Sequence, residues 1–446
     1  MKITCTKLVD LVSPITEPKS YLKYLLPGEV VEVADIKSPL VDHNFIVKSP
    51  HRIRVKCPIF DACGGCDFLH VDYLEQCRLK QAHVENLYRS LHYSREIMPM
   101  IVNPSPLHYR HKVVLSATTK KNKLRLGLYR EGSKDVIPFL GCLIHDKETN
   151  LISASIEELL NQYKITAYDI DSGKGIIKHI LMRKSYHDGS ILMVFVINGT
   201  LFPNSKPIIQ ELMKRHGSIK TVVQNIHRKK THLVLLEEEK VLYGSGYIHD
   251  QIGDLTFRLS SRSFYQVNPL QMMKLYQVAI DLLDIKLHET VVDTYSGIGT
   301  LSLLAAKKAK HVIAIEVNKK SHEDAVFNKS LNKINNISFI NDDVERVIGE
   351  LNQKVDVLLM DPTREGASKA FMEKVLVLKP KRIAYISCEP KTQVRDIEFL
   401  LRDYEIKHVQ PVDMFSQTRH VESISLLLLK WHLMTTWQPL DDLLKM

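Results

Sequence analysis

Short apolar runs separated by helical stretches dominate the second half of this chain and set its predicted fold. The runs at residues 291–293, 311–316, 337–340, 355–360 and 382–386 are rich in Val, Ile and Leu, and polar residues follow each of them. Several of the intervening stretches have the spacing of amphipathic helices. Strands that alternate with helices in this way predict an α/β domain with a doubly wound, mainly parallel sheet.

The first 56 residues have a different pattern, which predicts a small β-rich domain. Apolar and polar residues alternate at 29–33, and short apolar stretches follow at 45–47 and 53–55. A Pro-Gly pair just before the first of them signals a turn. A small barrel of the OB type fits this pattern, and such folds bind RNA. A β module with a purely structural role fits it equally well.

Residues 57–257 mix both patterns and predict a central α+β domain, with the catalytic domain following over 258–446. The central stretch contains a predicted hairpin around 120–123, a helix at 154–163, and buried strands at 191–197 and 233–236. These features predict a structural scaffold, and none of them indicates a particular reaction.

Charge points to a polyanionic partner. The 446-residue chain has a formal net charge of +10 and a pI of about 9.0, with basic clusters at 120–121, 228–230 and 379–382. Nucleic acid suits such a charge because neutralised phosphates release counterions, although basic clusters also occur as ordinary solvated surface. The basic run at 109–112 predicts either a phosphate grip or an exposed turn.

Nothing in the sequence predicts a membrane or secreted protein. The N-terminal residues lack the sustained apolar run of a signal peptide. The best apolar run, at 191–197, is much shorter than a membrane span. With 44% hydrophobic and 25% charged residues, the composition is that of an ordinary globular protein, and we expect it in the cytoplasm.

Cysteine spacing predicts a metal site. Cys57, Cys63 and Cys66 lie within ten residues, and glycines between the last two let the backbone curl so that several thiols face one point. In a reducing compartment such a set favours metal binding over disulfides. Cys142 is the best fourth ligand, whereas Cys77 falls in a predicted helix at 73–91 and is expected to pack. The spacing fits a [4Fe-4S] cluster or tetrathiolate zinc.

A nucleotide-binding pattern starts at Asp293. A strand, a glycine turn with Gly297 and Gly299, and a helix follow one another, and the next strand ends on Glu316. An acid at that place accepts hydrogen bonds from ribose hydroxyls. The third glycine of a dinucleotide fingerprint is missing, which suits S-adenosylmethionine because it has no pyrophosphate. The segment therefore predicts a class I methyltransferase rather than a nicotinamide enzyme.

Polar residues at the strand ends predict the reaction site. Ligands of such sheets lie beyond the carboxyl ends of the strands, so residues 342–343, 361–364 and Cys388 should converge with Tyr295 and Glu316. A lone cysteine is more often a buried packing residue. Its position at this edge makes Cys388 a predicted nucleophile.

The chemistry that fits these residues is methylation of carbon 5 of uracil. That carbon is a weak nucleophile, and addition of a Cys388 thiolate at carbon 6 places electron density on it. A base must then remove the proton on carbon 5, and Glu422 is the predicted base, with His420 a weaker rival. Arg364 stands where enzymes that methylate amino groups have an aromatic residue, which argues against such targets.

Together these motifs resemble the RNA uracil-C5 methyltransferases, over most of residues 57–429. The similarity is greatest to bacterial 23S rRNA enzymes that carry a [4Fe-4S] cluster and smaller to tRNA enzymes that lack one. The resemblance implies that Cys57, Cys63, Cys66 and Cys142 bind the cluster, that Gln266, Tyr295, Glu316, Asp343 and Asp361 line the cofactor and reaction site, that Cys388 is the nucleophile and that Glu422 is the base.

The resemblance also implies a TRAM-type RNA-binding domain at the N-terminus and a 23S rRNA substrate, and we expect a monomer. Two alternatives stay open: a tRNA enzyme with the same chemistry, and an iron–sulfur RNA-binding factor without catalysis. The chain departs from the family pattern at Thr363 and Glu389, and a segment with Trp431 and Trp437 extends past the usual end.

Overall fold

The computed structural model describes residues 1–20, 22–33, 44–231, 233–351 and 353–430. Its N-terminal part is a four-stranded antiparallel sheet in the order β2-β1-β3-β4. The strands are β1 (Lys2–Val9), β2 (Ser13–Glu17), β3 (Val30–Glu32) and β4 (Asn44–Val47). Residues 53–55 form no strand, so that element of the prediction is wrong. Arg52 instead pairs with the fully buried Glu29, whose two carboxylate oxygens accept from its guanidinium at 2.6 and 2.5 Å.

A seven-stranded sheet forms the central part, in the order β11-β10-β9-β8-β5-β6-β7. Its elements are β5 (Lys112–Lys120), β6 (Lys123–Tyr129), β7 (Val136–Pro138), α2 (Lys147–Gln162), β8 (Ile177–Lys184), β9 (Ile191–Ile197), α3 (Ser205–Arg215), β10 (Ile219–Ile226) and β11 (Glu239–Tyr243). The predicted hairpin, the helix around 154–163 and the strand at 191–197 are confirmed. The last of these is buried on both faces, which explains its unbroken apolar run.

The predicted strand at 233–236 is wrong. Leu233 is 62% exposed, and β11 supplies the edge strand beside β10 instead. Charged residues precede and follow the short apolar run, and the side chain of Asn225 holds the backbone of Leu236 in a loop, with hydrogen bonds of 2.8 and 3.0 Å. An apolar run this short does not by itself distinguish a strand from a loop.

Helix α1 (Tyr73–Arg89) confirms the helix predicted at 73–91, but its packing was not predicted. The Asp72 side chain caps its first turn by accepting from Glu75 N. Val84 and Tyr88 enter the hydrophobic core of the C-terminal sheet, where the Tyr88 hydroxyl donates to Gln393 Oε1 at 2.9 Å. The helix following the cysteine segment is therefore packed on the C-terminal domain.

A hairpin of β12 (Tyr247–Ile252) and β13 (Leu255–Ser260) connects the central and C-terminal parts. The boundary predicted between residues 257 and 258 falls inside β13. Arg258 forms an ion pair with buried Asp324 of the C-terminal part at 2.5 Å, so the hairpin packs on the domain that follows it.

The C-terminal part is an α/β methyltransferase fold, as predicted. Its sheet has the order β16-β15-β14-β17-β18-β20-β19, and β20 runs antiparallel to both of its neighbours. The strands are β14 (Thr290–Asp293), β15 (His311–Ile315), β16 (Ile337–Ile340), β17 (Val357–Met360), β18 (Arg382–Ser387), β19 (Tyr404–Val412) and β20 (Glu422–Leu429). The helices are α4 (Pro269–Leu283), α5 (Thr300–Ala306), α6 (Lys319–Leu331), α7 (Val344–Glu350), α8 (Lys369–Leu378) and α9 (Pro390–Leu400).

Within the described ranges, no helix is long and apolar enough to cross a bilayer. The C-terminal extension with Trp431 and Trp437 lies outside the described residues.

Candidate active site

One cavity of about 660 Å³ opens at the carboxyl ends of the parallel strands, and it gathers the predicted site residues. Its lining includes every side chain predicted for catalysis or cofactor binding: Gln266, Tyr295, Glu316, Asp343, Asp361, Cys388 and Glu422. The carboxyl ends of parallel strands meet at one edge of a sheet. Glu422 reaches the same edge because β20 runs the other way, so that its first residue lies beside the last residues of β18.

The glycine turn after β14 shapes the cofactor side of the cavity. Gly297 and Gly299 have φ values of +56° and +86°, which favour glycine. A Cβ on Gly299 would lie 2.9 Å from the Phe339 ring. Glu316 ties the turn to β15, because its two carboxylate oxygens accept from Gly297 N at 2.9 Å and Asn318 N at 2.7 Å.

Two buried carboxyl groups lie at the ends of neighbouring strands. Burial raises the pKa of Asp293 to about 6, although the Ser302 hydroxyl donates to it at 2.5 Å and opposes the shift. Burial, together with the charge of Asp293, raises the pKa of Asp361 to about 7. Both groups therefore gain or lose protons near neutral pH.

The other predicted cofactor residues occupy the rest of the cavity wall. Gln266 is buried, and Tyr295 packs against Phe371 with ring centres 6.1 Å apart. Asp343 lies exposed at the rim and caps α7, where its side chain accepts from two backbone amides.

Cys388 and Glu422 form the reactive end of the cavity. Cys388 is half-buried directly after β18; burial and the nearby charges of Glu422 and Asp361 raise the pKa of its thiol to about 12. The Arg364 guanidinium opposes that rise with its charge and a hydrogen bond to the thiol. Glu422 is buried, and among the described residues its Oε2 atom has no hydrogen-bond partner. Burial, then the charge of Asp361, raises the pKa of Glu422 well above its usual value, against the effect of Arg364.

His420, the weaker candidate for the base, is not among the described residues that line this cavity. Burial, followed by the charges of Arg364 and Arg419, lowers its pKa to about 4. It is therefore neutral at physiological pH, and it packs edge-on against Phe415 with ring centres 6.2 Å apart.

Several lining residues were not among the predicted site residues. Arg364 lies beside Cys388, and the buried Ser296 hydroxyl lines the cofactor side with no hydrogen-bond partner among the described residues. Arg364 belongs to the stretch 361–364 that was expected at the strand ends, and Ser296 belongs to the glycine turn after Asp293. The sequence therefore contained a signal for both. Tyr276 also lines the cavity, but on α4 it is one of many apolar-face residues and carries no local signal.

Buried charges fix the segment that precedes Glu422. The carboxylate of Asp413 accepts from Lys80 Nζ at 2.6 Å, from the Tyr73 hydroxyl at 2.7 Å and from the Ser416 hydroxyl at 2.6 Å. Lys80 and Asp413 have side chains no more than 1% exposed. A buried pair of this kind is sensitive to loss of either partner, so α1 holds the approach to the base in one position.

The cysteine segment holds the same approach from the other side. The backbone amides of Asp67 and Phe68 donate to Gln417 O at 2.8 and 3.0 Å, and Arg419 N donates to the Asp67 carboxylate at 2.9 Å. The residues that follow the cysteines are therefore attached directly to the chain that leads into Glu422.

The four cysteines predicted as metal ligands line a second cavity, of about 630 Å³. They are Cys57, Cys63, Cys66 and Cys142, and burial raises the pKa of each thiol. Across the described residues, no group of three or more His, Cys, Asp or Glu side chains is already gathered closely enough to hold a metal ion. The cysteines thus share a cavity rather than a finished ligand cage. Cys77 lies apart from them, buried in α1.

A family model described as tRNA (Uracil-5-)-methyltransferase matches residues 73–430. The chain belongs to the RNA uracil-C5 methyltransferase family. This confirms the family that the sequence motifs predicted, and it makes the protein an RNA methyltransferase of the S-adenosylmethionine-dependent class.

Relatives of this uracil-C5 methyltransferase family member match it over nearly their whole length. A protein of Oceanobacillus iheyensis is 37% identical over 426 residues, covering 92% of each chain, and one of Staphylococcus aureus is 35% identical over 393 residues, covering 87% of each. Both are named uncharacterized RNA methyltransferases.

Among solved structures, the fold is similar to the tRNA (uracil-54, C5)-methyltransferase of Pyrococcus abyssi in complex with S-adenosyl-L-homocysteine. The TM-score is 0.76 at 22% identity, and the match covers 96% of this chain and all of the other.

Proposed function

We propose that this enzyme methylates carbon 5 of a uridine in 23S rRNA, with Cys388 as the nucleophile and Glu422 as the base. The observation that carries the proposal is the unpaired, buried Oε2 atom of Glu422 in the same cavity as Cys388 and the nucleotide-binding strand ends. A buried carboxylate oxygen without a partner is costly, and a role in proton transfer accounts for it.

The cofactor residues divide the cavity into a nucleotide side and a reaction side. S-adenosylmethionine supplies the methyl group on a positively charged sulfur. Glu316, at the end of β15, has lone pairs left for ribose hydroxyls beside its two backbone contacts. Gln266, Tyr295, Asp343 and Asp361 line the remaining wall, with Asp361 between the cofactor strand and Cys388.

The proposed reaction begins when the Cys388 thiol releases its proton to solvent and the thiolate attacks carbon 6 of uracil. The new S–C6 bond moves the C5=C6 electron pair onto the carbon-4 carbonyl, giving an enolate. Carbon 5 then takes the methyl group from the sulfonium. Glu422 removes the proton left on carbon 5, the C5=C6 bond re-forms, and the S–C6 bond breaks to restore the thiolate.

The charged residues that line the cavity act on the first and last of these steps. Arg364 is the cation that favours the Cys388 thiolate, whereas Glu422 and Asp361 oppose it. Burial raises the pKa of both carboxyl groups, and protonation of Asp361, whose pKa is about 7, would reduce that opposition while Glu422 stays available as the base. A base with a raised pKa is also the stronger acceptor for the proton on carbon 5.

The rRNA assignment rests on the cysteine set. Four cysteines around one cavity have the ligand chemistry of a [4Fe-4S] cluster, and the resemblance links such a cluster to 23S rRNA enzymes. Cys57, Cys63, Cys66 and Cys142 would hold the cluster, which would supply structural support to the segment attached to Gln417 and Arg419.

We also propose an N-terminal RNA-binding domain of the OB or TRAM type over 1–56, a central cluster domain that ends after β11, and a catalytic domain that begins with the hairpin of β12 and β13. A tRNA substrate is the second candidate, because the matching family model and the P. abyssi enzyme both name tRNA.

The test is methyl transfer from labelled S-adenosylmethionine to unmodified 23S rRNA and unmodified tRNA, with nucleoside mass spectrometry of the products. We expect 5-methyluridine in rRNA with the wild type and with Cys5→Ala, a matched change of a buried thiol in β1. With Cys388→Ala we expect no product but retained cofactor binding in calorimetry. Methylation of tRNA alone would replace the substrate, and an active Cys388→Ala would overturn the mechanism.

A further inference from the structure

The cysteine cavity contains a half-buried cation, Arg110, whose Nε atom is sealed from solvent without a hydrogen-bond partner among the described residues. Arg110 lines the cavity with Cys57, Cys63, Cys66 and Cys142. Burial lowers the pKa of Arg110, but the Tyr109 hydroxyl and the Cys66 and Cys142 thiols outweigh that effect and raise it. The groups that favour its charge thus include two of the candidate ligands beside the Tyr109 hydroxyl.

The backbone fixes Arg110 at this place. Arg110 N donates to Ile144 O at 2.9 Å, and Asp146 N donates to Arg110 O at 3.2 Å, so the residue lies beside the chain that follows Cys142. The preceding Tyr109 is buried, and its hydroxyl donates to Ser416 O at 2.9 Å. The exposed basic turn that the sequence allowed at 109–112 is therefore wrong for Tyr109. The alternative phosphate grip does not explain an Nε atom sealed from solvent.

A guanidinium nitrogen that is sealed from water and faces no carboxylate destabilises the fold unless an anion completes its surroundings. Four thiolates bound to an iron–sulfur cluster make the cluster site negatively charged. We propose that Arg110 donates hydrogen bonds to the sulfur atoms of the cluster site and balances its negative charge. This inference rests on the proposed function, specifically on the cluster held by the four cysteines.

A second orphaned donor in the same cavity supports the proposal. His145 lines the cavity, and its buried Nδ1 atom has no partner among the described residues. A neutral imidazole can donate one N–H to a sulfur. Two unpaired buried atoms at one cavity indicate a ligand with several acceptor sites.

Two measurable properties follow. Hydrogen bonds and positive charge near the sulfurs of an iron–sulfur cluster raise its reduction potential. Partners around the ligands also commonly contribute about 10–100-fold to metal affinity. Removing Arg110 should therefore lower the potential and speed cluster loss.

The experiment compares anaerobically reconstituted wild type with Arg110→Met and Arg110→Lys. Arg130→Met is the matched control, because Arg130 lines the same cavity but is exposed. Redox titration and the rate of iron removal by a chelator are followed through the iron–sulfur absorbance. We expect Arg110→Met to lower the potential and to lose iron roughly 10–100-fold faster. Arg130→Met should match the wild type, and Arg110→Lys, with charge but no planar fork, should lie between.

Cofactor binding in calorimetry verifies that each variant is folded, and Arg110→Lys carries the test if Arg110→Met does not fold. A cluster in Arg110→Met with wild-type potential and wild-type iron release would overturn the role of Arg110 and leave the proposed function intact. A wild type that binds no iron, or only zinc, would overturn the cluster part of the proposed function and this inference with it.

Discussion

The catalytic cavity and the cysteine cavity of this methyltransferase are nearly equal in volume and opposite in chemistry. The catalytic cavity, of about 660 Å³, is lined by the acidic residues Asp293, Asp361 and Glu422, and burial raises the pKa of each. The cysteine cavity, of about 630 Å³, gathers thiols around the half-buried cation of Arg110. One collects carboxyl groups, and the other collects the thiols proposed as metal ligands.

The difference teaches how burial can serve two purposes. A buried carboxylate whose pKa is raised binds a proton more strongly, which suits a base that must take the proton from carbon 5. A buried thiol with a raised pKa stays protonated until a metal displaces the proton. The same loss of solvent thus raises the pKa of the carboxyl groups in the catalytic cavity and of the thiols in the cysteine cavity. In the second cavity, metal binding would require the thiols to release their protons.

The cavities are also built differently along the chain. The catalytic cavity takes its residues from the ends of strands far apart in sequence, whereas three of the four cysteines come from one short segment. The two are connected through Asp67, whose carboxylate accepts from Arg419 N beside the approach to Glu422. Changes in the cysteine cavity should therefore reach the base. The predictions below test the two cavities one at a time.

The largest expected effect is loss of iron from Cys66→Ser, with Cys77→Ser as the matched control. Cys66 lines the cysteine cavity, while Cys77 is buried in α1. Because Cys66 is one of the four proposed ligands and Cys77 is not, we expect Cys66→Ser to lose most of its bound iron and Cys77→Ser to keep it, as measured by iron and sulfide content after anaerobic purification. Equal iron in both variants would remove Cys66 from the ligand set.

The next largest effect is on turnover by Glu422→Gln. The amide cannot accept the carbon-5 proton, so the rate should fall by about 10²–10⁴-fold. The S–C6 adduct should persist as a covalent protein–RNA complex that survives denaturation. Glu405→Gln, at a half-exposed position of β19, serves as the control and should leave the rate unchanged. A Glu422→Gln variant that turns over normally would assign the proton to another base.

The smallest effect is the pH dependence of Cys388 alkylation in the enzyme without RNA. Since burial and the nearby carboxylates raise the pKa of this thiol to about 12, the thiolate fraction rises about tenfold for each pH unit between 7 and 9.5. We expect the iodoacetamide rate, followed by mass spectrometry of the Cys388 peptide, to rise in proportion. Arg364→Met should slow it further. A rate that levels off below pH 8 would mean that the thiolate is already formed.

The sequence predicted the catalytic sheet well because its signals are local. The strands around Val292, Ile313 and Leu358 are buried on both faces, so each appears as an apolar run that ends on polar residues. The wrong elements, at 53–55 and 233–236, were short apolar stretches whose state depends on pairing partners elsewhere. Leu233 is apolar but exposed, which shows that a short apolar stretch does not by itself predict a buried strand.

The residues of the candidate site also divide into those that local signals predicted and those that depend on distant contacts. The strand-end rule brought Asp361 and Cys388 together in advance, because parallel topology fixes which ends of the strands meet. Glu422 was predicted from the chemistry instead, and it joins them because β20 runs antiparallel to β18. The strand-end rule could not predict that Tyr276 of α4 reaches the cavity, that Lys80 of α1 pairs with Asp413, or that Arg110 lies among the cysteines.

The sequence by itself determined the residue types, their order, and the alternation of strands and helices, since hydrophobic periodicity and glycine turns act over a few residues. Only the tertiary structure decided which polar groups lose their solvent. The raised pKa values of Asp361 and Cys388 and the unpaired Nε atom of Arg110 come from burial. Burial depends on contacts between segments hundreds of residues apart, such as α1 and the approach to Glu422.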